Sequence, residues 1–184
     1  MTLPTEFLLY IAELLGRLGI PYHVGGSIAS SAHGMYRASA DIDFVIDPTS
    51  IQLEALAHAL EPGFYVSRSA MTEALSSRST FNAIHDETSF KIDFFIKGTA
   101  PFDAEEFGDE HGHAVLLKSP EDTVLRKLEW FRRGGEVSER QWHDVLSILA
   151  AARGQLDETH LDRWAVELGI ADLLDRARKE VVDL

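Results

Sequence analysis

Two short stretches decide the fold of this 184-residue chain: VGGS at positions 24–27 and RASADIDFVI at positions 37–46. In the second stretch apolar residues alternate with Asp41 and Asp43, and this alternation predicts a half-buried strand over Asp41–Asp47. Both carboxylates then leave the same face of the strand. Two carboxylates that close repel each other unless a cation lies between them, so the pair is a candidate site for a hard metal ion.

A glycine turn precedes this strand, and a third acid follows it. Gly25, Gly26 and Ser27 are expected to open a helix, whose free N–H groups and dipole attract phosphate. Glycine also lets a phosphate approach the backbone closely. Asp93 lies in a later predicted strand over 90–97, with apolar residues on the opposite face. The sequence therefore predicts a phosphate-binding turn and three strand carboxylates in its N-terminal half.

The wider pattern predicts an α+β fold with two regions, a core over 1–118 and a helical C-terminal region over 119–184 packed on it. Ser119 is expected to cap the first C-terminal helix, with Pro120 at its first position. A loop is expected over 98–114, where the chain is acidic and rich in turn residues. Three helices are predicted in the core: one that begins at Phe7 and is stopped by Gly19, one over 28–34, and one that is capped by Asp47–Ser50 and ends near Leu60. Four more are predicted in the C-terminal region: Pro120–Arg133, Ser138–Ala152, Asp157–Leu168 and Ala171–Val182. The other predicted strands are Ile20–Val24, a β stretch from about Phe64 to Lys97 with a hairpin of Thr80–His85 and Phe90–Lys97, and Ala114–Lys118.

Composition narrows the function classes. Lys and Arg number 17 against 30 Asp and Glu, a formal charge of −13, which disfavours general binding of duplex nucleic acid. The absence of cysteine excludes disulfides and thiol chemistry and fits a reducing cytosol. No apolar run approaches the roughly 20 residues that cross a bilayer, and the N-terminus predicts an amphipathic helix rather than a signal peptide. We therefore expect a soluble, cytoplasmic protein with no membrane partner.

The two motifs together resemble the signature of the nucleotidyltransferase superfamily, which includes DNA polymerase beta, kanamycin nucleotidyltransferase and the AbiEii-type toxins. In that signature Gly-Gly or Gly-Ser follows an apolar residue, and two acids separated by an apolar residue come about a dozen residues later. Asp93 matches the third carboxylate of the family, and Arg37 and Ser39 match the basic and hydroxyl positions before the acid pair. The resemblance implies a nucleotidyltransferase-like mixed β-sheet with flanking helices.

A second resemblance concerns the C-terminal helices. EDTVLRKLEWFRR (121–133) and RQWHDVLSIL (140–149) are similar to the helical segment of AbiEii-like members, in which a Lys and a downstream Asp follow the core. Lys127 and Asp144 fall at those positions. The AbiEii-type toxins and uncharacterised bacterial nucleotidyltransferases are thus the closest in pattern.

The resemblance implies transfer of an NMP group from an NTP to an acceptor hydroxyl, with release of pyrophosphate. It also implies two Mg²⁺ ions, for which Mn²⁺ could substitute. The acids would be catalytic and hold the metals, Asp93 holding only one of them and accepting the proton of the hydroxyl. The implied metal ligands are Asp41, Asp43 and Asp93; the nucleotide-binding residues are Gly25, Gly26, Ser27, Arg37 and Lys127; the auxiliary residues are Ser39 and Asp144.

Alternatives stay open at this point. The chain could be a catalytically silent protein on the same fold that binds a nucleotide or a partner, such as an antitoxin-like protein in a toxin-antitoxin pair. A metal-dependent phosphohydrolase would use the three acids but leave the glycine turn unexplained. For an enzyme, the acceptor is open among a small molecule, a protein hydroxyl and a tRNA end.

Overall fold

The structure is a computed structural model that describes residues 3–34, 41–106 and 115–182. In chain order the elements are α1 (Leu3–Arg17), β1 (Tyr22–Val24), α2 (Gly26–His33), β2 (Asp41–Ile46), α3 (Ser50–Leu60), β3 (Phe64–Val66), α4 (Arg68–Ser77), β4 (Thr80–His85), β5 (Lys91–Ile96), α5 (Pro101–Glu106), α6 (Pro120–Arg133), α7 (Glu139–Ala151), α8 (Glu158–Glu167) and α9 (Ala171–Val182). The first compact unit contains the sheet with α1, α3, α4 and α5, and the second contains α6 to α9. Helix α2 is divided between the units after Ile28.

The predicted α+β class is confirmed, and the sheet is mixed. Its five strands lie in the order β1-β2-β5-β4-β3. Strand β2 pairs antiparallel with β1 and parallel with β5, whereas β4 pairs antiparallel with both β5 and β3. The parallel pair at the centre brings together two strands that are far apart in the sequence. These are the two strands that carry the candidate acids.

An aromatic row fixes the register of the central strands. Phe44 stacks on Phe94 with ring centroids 5.9 Å apart, and Phe94 stacks on Phe81 of β4 at 4.9 Å. All three rings are buried on the face of the sheet that also receives apolar side chains of α1, α3 and α4. A slip of one residue would turn these rings to the other face, so core packing enforces the pairing of β2 with β5.

Sequence signals at the helix starts are confirmed. The Thr49 hydroxyl accepts a hydrogen bond from the N–H of Gln52, and the Gln52 side chain bonds back to the Thr49 N–H, which completes a capping box at α3. Ser119 caps α6 by accepting from the Asp122 N–H at 3.0 Å, with Pro120 in the first turn. The predicted bounds of α6 and α9 are those of the structure.

Three parts of the predicted element order are wrong. The β stretch over 64–97 is interrupted by α4, which Ser67 caps and which buries Met71 and Ala74. The loop expected over 98–114 contains α5 after three non-helical residues, and residues 107–114 lie outside the described part of the chain. The strand expected over Ala114–Lys118 is reduced, among its described residues, to one parallel bridge between Leu117 and Val24.

The helices in the described part of the chain lack the length and apolar content that a membrane crossing requires.

Candidate active site

Three acids share the face of the sheet opposite the aromatic row. Asp41 and Asp43 project from β2, and Asp93 lies directly opposite Asp43 on β5. Neighbouring strands are about 4.8 Å apart, so the two carboxylates have adjacent attachment points. All three acids are partly buried, and the Asp93 side chain is 16% exposed. The parallel register therefore places all three acids on one face of the sheet.

A lysine that the sequence analysis missed lies among these acids. Lys91 is opposite Asp41 in the register, and its Nζ lies 2.6 Å from Oδ2 of Asp93. The hydrogen bond to Asp93 raises the pKa of Lys91, and the charges of the three carboxylates act in the same direction, against partial burial. Lys91 is therefore an ammonium at neutral pH. Its two-residue spacing from Asp93 on one strand was the available signal.

Asn82 is a second residue that the sequence analysis missed. It lies on β4 directly opposite Asp93 and is exposed. Side chains directly opposite one another on paired strands share a face of the sheet. An amide therefore borders the acids on the side away from β2. The alternation of Thr80, Asn82 and Ile84 with buried residues was its signal.

The glycine turn and the second acid form one structural unit. The Gly25 N–H donates to the carbonyl of Asp43 at 3.0 Å, which ties the turn to β2. Gly26 has φ +57°, and a Cβ built there would lie 1.7 Å from Oδ2 of Asp43. Only glycine fits both the conformation and the space. The Asp43 carboxylate consequently lies against the start of α2, where the helix dipole favours negative charge.

The three turn residues differ in what they offer to a phosphate. Gly26 is exposed, whereas Gly25 and Ser27 are buried. Because the Gly25 N–H is used by Asp43, Gly25 serves to hold the turn against the sheet. The nucleotide-binding role of the turn stays a prediction, as do the roles of Arg37 and Ser39, which lie outside the described residues.

The acids fit a divalent cation by their chemistry. Carboxylate oxygens are the ligands that Mg²⁺ and Mn²⁺ prefer, and three carboxylates lie on this face. Within the ranges that the structure describes, however, no three His, Cys, Asp or Glu side chains converge as a ready metal-binding group. A metal bound by Asp93 would either displace the Lys91 ammonium or lie close to it.

The two C-terminal candidates lie together in the second unit. Lys127 of α6 places its Nζ 2.8 Å from Oδ2 of Asp144 on α7. The side chains are only 12% and 10% exposed. A buried ion pair between two packed helices has a structural role whether or not Lys127 also contacts phosphate. The assignments of Lys127 to the nucleotide and of Asp144 as an auxiliary residue stay predictions.

We expect Lys127→Met to lower the free energy of unfolding by about 3 kcal/mol, because it removes the ammonium from a buried carboxylate. Chemical denaturation measures this directly. The matched control is Arg132→Met, which removes more exposed ion pairs to Asp172 and Glu136 from the same helix and should cost much less. Equal costs for the two variants would show that burial of the Lys127 pair has no energetic consequence.

The fold is that of solved nucleotidyltransferase structures. A crystal structure of an antigenic nucleotidyltransferase-like protein from Paracoccidioides brasiliensis superposes with a TM-score of 0.59 at 17% identity, covering 95% of this chain and 91% of that one. A solution structure of the antibiotic-resistance factor ANT(2'')-Ia gives 0.52 at 17% identity, covering 98% and 96%. The lincosamide antibiotic adenylyltransferase LnuA with bound lincomycin gives 0.52 at 17% identity, covering 80% and 96%.

Neither a family model nor a curated protein sequence matches the chain. The likeness to solved structures establishes the nucleotidyltransferase fold, which the sequence motifs predicted. The specific resemblance to AbiEii-type toxins stays a prediction.

Proposed function

We propose that this chain is a metal-dependent nucleotidyltransferase, which moves an NMP group from an NTP to an acceptor hydroxyl and releases pyrophosphate. One observation carries the proposal: Gly26 lies against the carboxylate of Asp43, and Asp43 lies opposite Asp93. A turn suited to phosphate and a set of acids suited to divalent cations therefore meet on one face of a nucleotidyltransferase fold. A phosphohydrolase would need the acids but not this turn.

The acids are assigned by their positions on the strands. Asp41 and Asp43 would hold both metal ions, and Asp93 would hold one of them. When bound, the ions would polarise the attacking hydroxyl and neutralise charge on the leaving pyrophosphate. Mg²⁺ is the expected ion, and Mn²⁺ shares its preference for carboxylate oxygen.

The chain's own groups then act on the substrates. Asp93 accepts the proton of the acceptor hydroxyl while the oxygen of that hydroxyl bonds to the α-phosphorus of the NTP. The bond from the α-phosphorus to the bridging oxygen of the β-phosphate breaks, and pyrophosphate leaves with that electron pair. Backbone N–H groups of the turn at Gly26 and Ser27 bind the β- and γ-phosphates. Arg37 or Lys127 offsets their charge.

The acceptor is proposed to be a small molecule that carries positive charge. The formal charge of −13 favours a cationic acceptor over a tRNA end. Among the structures that share the fold, ANT(2'')-Ia is an antibiotic-resistance factor and LnuA is an antibiotic adenylyltransferase with lincomycin bound. A protein hydroxyl is the remaining acceptor class.

A silent binding protein on the same fold is the second candidate, and one observation favours it. The Lys91 ammonium lies on Asp93, the acid that would accept the proton. A protein that never performs transfer could keep this ion pair permanently and bind an antitoxin-like partner instead. Metal-dependent nucleotide binding followed by transfer separates the two candidates.

Calorimetry tests the first step. We expect an NTP to bind in the presence of Mg²⁺ and to lose most of its affinity when a chelator is added, because the triphosphate would then face the carboxylates without a divalent cation between them. Each of the four NTPs is titrated with Mg²⁺ and again with excess chelator. Equal affinity under both conditions would contradict the metal-dependent function.

A further inference from the structure

Lys91 has a feature that the proposed reaction does not use. Its ammonium makes a 2.6 Å ion pair with Asp93 while also lying within the electrostatic influence of Asp41 and Asp43. The side chain is 44% exposed, whereas that of Asp93 is 16% exposed. The cation is thus held at the solvent side of a more enclosed carboxylate.

A divalent cation and this ammonium would have the same carboxylate as partner. An ion bound by Asp93 would either displace Lys91 or lie a few ångströms from its positive charge, and like charges at that distance repel appreciably near a protein surface. This repulsion weakens the binding of a metal ion that arrives without a nucleotide. A metal that arrives with a triphosphate brings negative charge with it, and the flexible four-carbon stem of Lys91 allows its ammonium to change partners.

We infer that Lys91 competes with the divalent cation for Asp93, so that the cation binds weakly by itself and strongly only together with the nucleoside triphosphate. This inference rests on the proposed function and adds a residue to it. Lys91 is a positioning residue here: it determines whether Asp93 is available to the metal, and it acquires the triphosphate as its partner when the metal takes Asp93. Through this residue of β5, binding of the metal is coupled to binding of the triphosphate.

The same pair of strands offers a matched control. Lys97 follows β5 and pairs with Asp47, which follows β2, at 3.1 Å. The Lys97 side chain is 21% exposed and that of Asp47 is 35% exposed. This is also a Lys–Asp ion pair between neighbouring segments, but it lies at the far end of the two strands from Asp41 and Lys91. Replacing each lysine by methionine removes a charge and keeps most of the apolar stem.

The experiment is a titration with Mn²⁺ as the probe, followed by electron paramagnetic resonance of the free ion. It uses the full chain without nucleotide, as wild type, Lys91→Met and Lys97→Met. We expect Lys91→Met to bind Mn²⁺ about tenfold more tightly than wild type or more, because it removes one positive charge next to the ion. Lys97→Met should stay within about twofold of wild type, because that charge is distant and screened.

A second arm repeats the titration with a non-hydrolysable ATP analogue. In wild type the analogue should tighten Mn²⁺ binding, and in Lys91→Met the tightening should be smaller. Lys91→Arg retains the positive charge and should bind Mn²⁺ alone as weakly as wild type, which separates loss of charge from loss of the side chain. Thermal unfolding of each variant verifies that it is folded.

The two titrations test the inference about Lys91 and the proposed function separately. Equal affinity of wild type and Lys91→Met for Mn²⁺ alone would overturn the inference, even if the nucleotide and the metal bind together as proposed. If neither the wild type nor any of the variants bound Mn²⁺ together with the analogue, the proposed function would be overturned. Tighter Mn²⁺ binding in both methionine variants would overturn the specific role of Lys91, because the change in the protein's net charge would then explain the effect.

Discussion

Gly26→Ala is expected to lower the rate of nucleotidyl transfer by about 10²-fold or more, the cost of misplacing a catalytic group by about 1 Å. The new Cβ would lie 1.7 Å from Oδ2 of Asp43, so the carboxylate must leave its place or the turn must open. The backbone at φ +57° adds strain of about 1–2 kcal/mol for a residue with a side chain. Stability and nucleotide affinity should fall together with the rate.

The control for this prediction isolates backbone strain from the clash. Gly169 has φ +68°, and nothing lies within 4 Å of the position where a Cβ would be. Gly169→Ala should therefore lose a similar amount of stability from strain, while its nucleotide affinity and transfer rate stay at wild-type values. Thermal unfolding, calorimetry and transfer assays are compared for the two variants. A Gly26→Ala protein that transfers at the wild-type rate would show that the turn and Asp43 are not coupled.

Asp93→Asn is expected to lower the transfer rate by roughly 10²–10⁴-fold, the range typical of a lost general base. It should keep much of its affinity for the metal-bound nucleotide, because Asp93 is assigned to only one metal. Asp41→Asn and Asp43→Asn should lose both nucleotide binding and transfer, because these acids are assigned to both metals. Nucleotide titration and transfer are measured for each variant at one Mg²⁺ concentration.

Asp47→Asn is the matched control for the acids. Asp47 directly follows β2 and pairs with Lys97 and Arg78 beyond the end of that strand. Its substitution should leave nucleotide affinity and transfer near wild-type values, because Asp47 lies beyond the end of β2 that is far from Asp41 and Lys91. Transfer by Asp93→Asn at the wild-type rate would remove Asp93 from the mechanism.

The acid-bearing strand could be predicted because its pattern is local. Alternation in β2 places Ile42, Phe44 and Ile46 in the core, and all three are fully buried. That alternation also fixes Asp41 and Asp43 on one face. The pairing of Asp43 with Asp93 is different in kind, because it depends on a parallel register between strands that are separated in the chain by two helices and two strands. The sequence predicts that Asp41 and Asp43 share a face, and only the fold sets Asp93 beside Asp43.

The missed features have physical reasons too. Helix α4 is rich in serine and threonine, and only Met71 and Ala74 of it are buried, so its apolar pattern is weak against the strands on either side. Lys91 was missed because a lysine at a strand start is most often a solvated charge, and only its place next to Asp93 and opposite Asp41 gives it a role. The first error thus came from a weak local signal, and the second came from tertiary context.

The direct test of the central claim is a transfer assay with an NTP labelled at the α-phosphate. The wild-type protein is incubated with the labelled NTP and Mg²⁺, first with a panel of cationic small molecules that carry hydroxyl groups and then with cell extract. The account predicts a labelled acceptor and released pyrophosphate with wild type, and neither product with Asp43→Asn or with chelator. Metal-dependent binding of the NTP by wild type without any labelled acceptor would contradict the enzyme and favour the silent binding protein.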